Sequence, residues 1–172
     1  MNKKKTYFIA MGGMIAALSV VLMAFSFIPN SSLVLPAIAG VLLIAVVLEA
    51  GTKWALLIYV AVSLLSLFIA PDIDAKIFYI AFCGHYPILK KFLEGSKSLW
   101  LQWLLKLLVF NVCAVSAYII IVKITNIPNE FNQTWYMAAL WALGNVTFVI
   151  YDFALTRLID LYIYKIKKIF KI

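Results

Sequence analysis

Apolar stretches separated by short polar knots run the length of this chain. Six of them approach the ~20 residues that a helix needs to cross a hydrocarbon core. They cover Tyr7–Ile28, Leu33–Ala50, Lys53–Ala70, Lys76–Leu93, Leu99–Val122 and Tyr136–Tyr162. The knots are Pro29-Asn30-Ser31-Ser32, Gly51-Thr52, Pro71-Asp72 and Glu94-Gly95-Ser96, with a longer polar loop over Thr125–Thr134. The pattern predicts an all-α, polytopic membrane protein, a six-transmembrane-helix bundle forming one domain over residues 1–172. The second and third stretches are joined so tightly that they read as an antiparallel pair. The fourth is the weakest, because Gly84, His85 and Pro87 interrupt it. Proline removes a backbone hydrogen bond and kinks a helix, and a bilayer tolerates such a break where the backbone faces protein or a cavity. The first stretch outruns the apolar region of a cleaved signal and ends at Pro29-Asn30, so it reads as a retained span.

Composition makes lipid the solvent. The chain is 66% hydrophobic and 13% charged, with a mean hydropathy of +1.04. Soluble domains average roughly 45–50% and about 25%. One soluble core of this size cannot hide such an excess.

Charge then sets orientation. Twelve of the fifteen Lys and Arg residues fall on one side of the zigzag: Lys3, Lys4, Lys5, Lys53, Lys90, Lys91, Lys97, Arg157, Lys165, Lys167, Lys168 and Lys171. Lys76 and Lys123 fall on the other, and Lys106 lies within a stretch. Cytoplasmic loops retain Lys and Arg, so both termini are expected in the cytoplasm, and an even number of spans likewise places them on one side. The net charge of +8 sits at the termini and in short loops, where it meets anionic headgroups rather than nucleic acid. Cys83 and Cys113 are isolated in apolar stretches and read as small buried hydrophobes.

An ionisable side chain within a span is expensive and faces the bundle. The sixth span carries Trp141, Asn145, Asp152 and Thr156 at offsets that keep them near one helical face. Asp152 lies on its inner half. The fifth span runs the other way and brings Lys106 to a similar depth, so the two are expected to pair if their helices are neighbours. Such a pair either neutralises two misplaced charges or acts as a coupling element that shifts with the bundle. Asn111, near the middle of the fifth span, and Asn145, on the outer half of the sixth, suit a ligand or another helix equally. His85 reads as a hydrogen-bonded bundle residue, or as a ligand contact where Gly84 and Pro87 loosen the backbone. Tyr79 and Tyr86 flank it and suit stacking on a flat substrate. Lys90 and Lys91 read as topological anchors. Neither a Ser-His-Asp set nor paired carboxylates on one face at membrane depth occurs, and no phosphate-cradling loop is present. Hence no enzyme, catalytic residue, metal or cofactor is expected.

The first span holds Gly12 and Ala16, and Gly13 and Ala17, small residues four apart. That spacing lets two helices approach closely, in a partner subunit or within one bundle. Six spans, this length, a basic start and the run Ile9-Ala10-Met11-Gly12-Gly13-Met14-Ile15-Ala16-Ala17-Leu18-Ser19 resemble one family. It is the substrate-binding S components of energy-coupling factor (ECF) transporters, the vitamin and micronutrient importers of prokaryotic cell membranes. The resemblance implies that Gly12, Gly13, Ala16 and Ala17 dock on a transmembrane T component, while separate ATPase subunits use ATP. It implies a small-molecule pocket near the outer face, covered by the loop at Pro29–Ser32. The pocket would draw on Tyr79, His85, Asn111, Trp141 and Asn145, and the loaded bundle would topple to deliver its cargo. The family motif is usually alanine-based, glycines replace part of it here, and no vitamin-specific signature is present. The rival expectation is a ligand-free scaffold subunit of a morphogenesis or secretion complex, in which His85 and Asn145 only pack the bundle.

Overall fold

A computed structural model describes residues 3–29, 31–95, 98–125 and 134–166. Asn30, Lys97, most of the expected polar loop and the end of the basic tail fall outside them. The described residues are helical, with no strand among them. Helix α1 spans Lys3–Ala24 and tightens into a 3₁₀ turn at Phe25–Phe27. Helix α2 spans Val34–Glu49 and α3 Thr52–Ile69. Helix α4, Ile73–Phe78, widens into a π turn at Tyr79–Cys83, and α5 covers Tyr86–Leu93. Helices α6, Leu99–Thr125, and α7, Thr134–Leu161, complete the order, with a second π turn at Tyr162–Ile166.

Four helical stretches are long and apolar enough to cross a membrane: Lys5–Phe27, Thr52–Ile69, Leu99–Ile124 and Met137–Tyr164. Helix α2 is apolar but shorter, and the stretch expected at Lys76–Leu93 is divided. The first helix begins before the apolar run does. Hydropathy marks where lipid can start, whereas Lys and Thr are compatible with helix on either side of that point.

Helix α2 is hydrophobic all round, and such a helix is buried. Ala39, Leu43 and Val46 are sealed completely, with α1, α3, α5 and the π turn packed around them. Pro36 sits in its first turn, where a missing N–H removes no intrahelical bond. Helices α6 and α7 stand on the rim instead. Leu108, Val112, Leu143 and Ile150 are exposed along them, the surface a lipid solvent would cover.

The tight turn between α2 and α3 rests on Gly51, whose φ of +89° suits a residue without Cβ. The N–H groups of Ala50 and Gly51 both donate to the Val46 carbonyl, at 2.9 and 3.0 Å. The Gly51 carbonyl accepts from Ala55 at 3.2 Å and starts α3. Helix α4 starts on Asp72, whose carboxylate accepts from the Asp74 N–H at 3.2 Å.

The interruption at Gly84, His85 and Pro87 differs from a simple proline kink. Pro87 lies in the first turn of α5, a place proline tolerates. The distortion comes before it. Gly84 donates to Tyr79, five residues back, at 2.9 Å. That choice leaves the Ile80 carbonyl without its helical partner, and the Tyr59 hydroxyl of α3 donates to it at 2.7 Å. The freed backbone group is satisfied inside the protein, as an apolar surrounding requires.

Gly40 of α2 lies against this turn. A Cβ on Gly40 would overlap the Cys83 carbonyl oxygen, which is backbone and cannot rotate away. Gly40→Ala is therefore expected to lower stability by about 1–3 kcal/mol, the range for overpacking. Gly13→Ala meets nothing within 4 Å and, inside a helix, should raise stability by about 0.4–1 kcal/mol. Thermal unfolding of the two variants side by side in one detergent checks the contrast.

Candidate functional site

The polar residues of the interior form two groups, one on each side of an aromatic layer. Phe82 of the π turn centres that layer. Its ring lies 4.8 Å from Tyr86, 5.4 Å from Phe110 and 5.7 Å from Phe148, the last two edge-on. Phe110 of α6 and Phe148 of α7 stack at 4.7 Å. Aromatic pairs in such geometries add to plain area burial, so the layer holds the divided helix against both rim helices.

On the basic side of the layer lies a ring of charges. Helix α5 supplies Lys90 and, one turn on, Glu94 follows its end; α6 supplies Lys106 and α7 supplies Asp152. Lys106 Nζ is 2.8 Å from Asp152 Oδ2 and 2.7 Å from Glu94 Oε1. Lys90 Nζ is 2.8 Å from Glu94 Oε1 and pairs with Asp152 Oδ1. It also donates to the Asp152 carbonyl at 3.3 Å. Tyr86 donates to Asp152 Oδ1 at 2.6 Å, and Thr156 to the Asp152 carbonyl at 3.0 Å. Lys106 stands 5.2 Å over the Trp103 ring. Lys90, Asp152 and Lys106 are 1%, 2% and 4% exposed. Burial of ions is repaid only with such complete partnering. The cluster holds as many cations as anions, so it adds no net charge to the interior.

The structure thus brings Lys106 and Asp152 together and adds partners that the sequence reading did not give them. Lys90 is sealed in the ring, whereas Lys91 beside it is exposed. Tyr86 holds Asp152 rather than a free face for stacking. A signal for Lys90 was present: Lys90 and Glu94 are four apart on one face of a helix near membrane depth.

On the other side of the layer the expected ligand residues separate. Tyr79 is fully buried. Its hydroxyl has no hydrogen-bond partner among the described residues. His85 is half-buried, with its Nε2 3.7 Å from Cys113 Sγ. Tyr59 stands between them, 6.2 Å from the Tyr79 ring and 5.9 Å from His85. Nothing in its spacing marked it out. Asn111 and Asn145 close on each other, at 3.0 and 3.3 Å. Each also donates to its own helix, Asn111 to the Leu107 carbonyl at 2.7 Å and Asn145 to that of Trp141 at 2.9 Å. Trp141 is 41% exposed. It shares a helical face with Asp152, but that end of α7 has few neighbours to cover it.

The small residues of α1 divide by face. Gly12 is buried, and a Cβ there would lie 2.8 Å from Ile58 Cδ1 of α3. Ala16 packs against the same core. Gly13 and Ala17 point away from it and are exposed.

Compared with known proteins, the chain matches no family profile, no curated protein and no solved structure.

Asp152 is the buried one of the two carboxylates that both lysines share. Asp152→Asn should lower stability by about 3–5 kcal/mol, the range for breaking a buried pair from one side. Adding Lys106→Met should recover part of the loss, because Lys90 then keeps Glu94 and no second ammonium lacks a partner. A double-mutant cycle by thermal unfolding measures the coupling, and strict additivity would show that the pair contributes nothing of its own.

Proposed function

We propose that the chain is the substrate-binding membrane subunit of an ECF-type importer for a vitamin or other micronutrient. In this reading it lies in the cell membrane with six spans and both termini in the cytoplasm. Helix α2 and the divided α4–α5 segment supply the two spans beyond the four long apolar stretches. A buried short helix needs less length than a lipid-facing one, because its neighbours complete the crossing.

The observation that carries the reading is the Tyr79 hydroxyl, sealed in the interior without a partner. An unmet buried polar group costs about 1–3 kcal/mol; Ser19, Ser26, Ser63, Asp72 and Tyr151 also carry one among the described residues, and Tyr79 is the one of them at which the sequence reading placed a ligand contact. Tyr79 lies six residues after the start of α4, within the half opposite the basic end, and beside a helix break. Tyr59 adjoins it, and His85 adjoins Tyr59. A small molecule with a polar group aimed at Tyr79 and a flat face against these rings would meet the unfilled requirement.

A second support is the open face of α1. Gly13 and Ala17 are exposed among the described residues, and a bare small-residue face suits a close-packed helix of a T component. The scaffold reading draws on a different observation. Asn111 and Asn145 are satisfied by each other and by their own helices, so neither needs a ligand.

Tyr79→Phe separates the two. For a binding subunit, the variant should gain about 1 kcal/mol of stability when empty and lose the small molecule that co-isolates with the unaltered protein. Native mass spectrometry of gently solubilised membranes reads the loss. A stabilised variant beside an unaltered protein that carries no small molecule would favour the scaffold.

Docking has its own test. Gly13→Leu with Ala17→Leu should abolish co-purification of T component and ATPase subunits while the chain stays folded. Gly12→Leu should instead unfold the α1–α3 contact at Ile58. Undiminished co-purification of the Gly13 and Ala17 variant would defeat the docking assignment.

A further inference from the structure

We infer that Glu94 occupies an anion site at the basic end of the bundle, and that this site takes the phosphate of an anionic phospholipid. A cavity of about 260 Å³ opens there between α2, α5 and α7. Ile44, Val47 and Ile159 form an apolar wall, and Lys90, Lys91 and Glu94 form the polar side. Glu94 is the ring member that reaches solvent. Its side chain is 36% exposed, against 1% and 5% for the side chains of Lys90 and Lys106. A single oxygen, Oε1, serves both ammonium groups.

Glu94 also stands where its helix ends. Its N–H still bonds the Lys90 carbonyl at 2.9 Å, but the next N–H, that of Gly95, has already shortened to Phe92 at 3.2 Å. Turning the carboxylate out to water leaves those backbone bonds in place and gives up its contacts with Lys90 and Lys106. The turn leaves Lys90 and Lys106 facing Asp152 alone, with one positive charge unbalanced. A phosphodiester carries one negative charge on two free oxygens, one for each ammonium, whereas Glu94 offers both lysines the same oxygen. Lys91, exposed on the rim, adds a further cation. The apolar wall selects a lipid over free phosphate, because an acyl chain can lie along Ile44, Val47 and Ile159. A basic membrane-facing end also concentrates anionic lipid. The site needs only the membrane location; its failure would leave the importer reading where it stands.

The test uses the full chain in nanodiscs of phosphatidylcholine, with or without phosphatidylglycerol, and with inorganic phosphate as a separate arm. Phosphatidylglycerol should raise the thermal midpoint and remain bound through native mass spectrometry. Glu94→Gln removes the competing carboxylate and should strengthen that retention up to about fivefold, the scale of one part-exposed ion pair. Lys91→Gln should weaken retention and, being exposed, leave the fold intact, so it decides the matter if Glu94→Gln does not fold. Equal retention of the two lipids would overturn the site. So would stabilisation by inorganic phosphate with none by phosphatidylglycerol, or a Lys91→Gln variant that holds phosphatidylglycerol as well as the unaltered chain.

Discussion

A carboxylate in an apolar bundle has to be neutralised where it stands, and much of the basic half of this molecule follows from how Asp152 meets that demand. Its two oxygens and its own carbonyl take up Tyr86, Lys90, Lys106 and Thr156. Those groups come from α5, α6 and α7, so the position of three helices is fixed by one side chain. Dispersion alone would let apolar helices slide past one another, since lipid is as good a neighbour as leucine. A charge ring with defined distances does not slide. The aromatic layer around Phe82 lies directly beside it and fixes rotation as the ring fixes depth.

Backbone chemistry sets the second constraint. The π turn at Tyr79–Cys83 releases the Ile80 carbonyl, and Tyr59 takes it. Gly40 lets α2 come close enough to touch that turn. The divided segment is thus a built feature with a partner on each side. Pro87 then restarts a helix rather than bending one.

The helices were legible because apolar run length is a one-dimensional property. The Lys106 and Asp152 pair was legible for a similar reason, since charge sign, depth and antiparallel direction all follow from order along the chain. The burial of Lys90 was not legible, because position near a span end admits two fates and only the packing of α5 against α7 chooses between them. Asn111 and Asn145 show the same limit: sequence gave each a polar group at a plausible depth, but not that each would satisfy the other. The π turn had no local signature beyond Gly84, because the Tyr59 hydroxyl that stabilises it lies twenty-one residues away. The small residues of α1 were legible as a stripe, and only the third dimension divides Gly12 from Gly13.

The two polar groups differ in a way that bears on movement. Every hydrogen-bonding atom of Asp152 in the ring has a partner, so that end has little to gain from rearranging unless Glu94 is displaced. On the far side of the aromatic layer, the Tyr79 hydroxyl is unmet and the helix beside it is broken. A closed polar network resists change, and an unmet one rewards it. A ligand arriving at Tyr79 would act on the weaker half of the molecule while the ring holds the other half in register. Residues that touch both groups join the two halves directly. Tyr86 is such a residue: its ring packs on Phe82 and Phe148, and its hydroxyl holds Asp152. A shift of the π turn would therefore bear on the charge ring through Tyr86 and the helix it shares with Lys90.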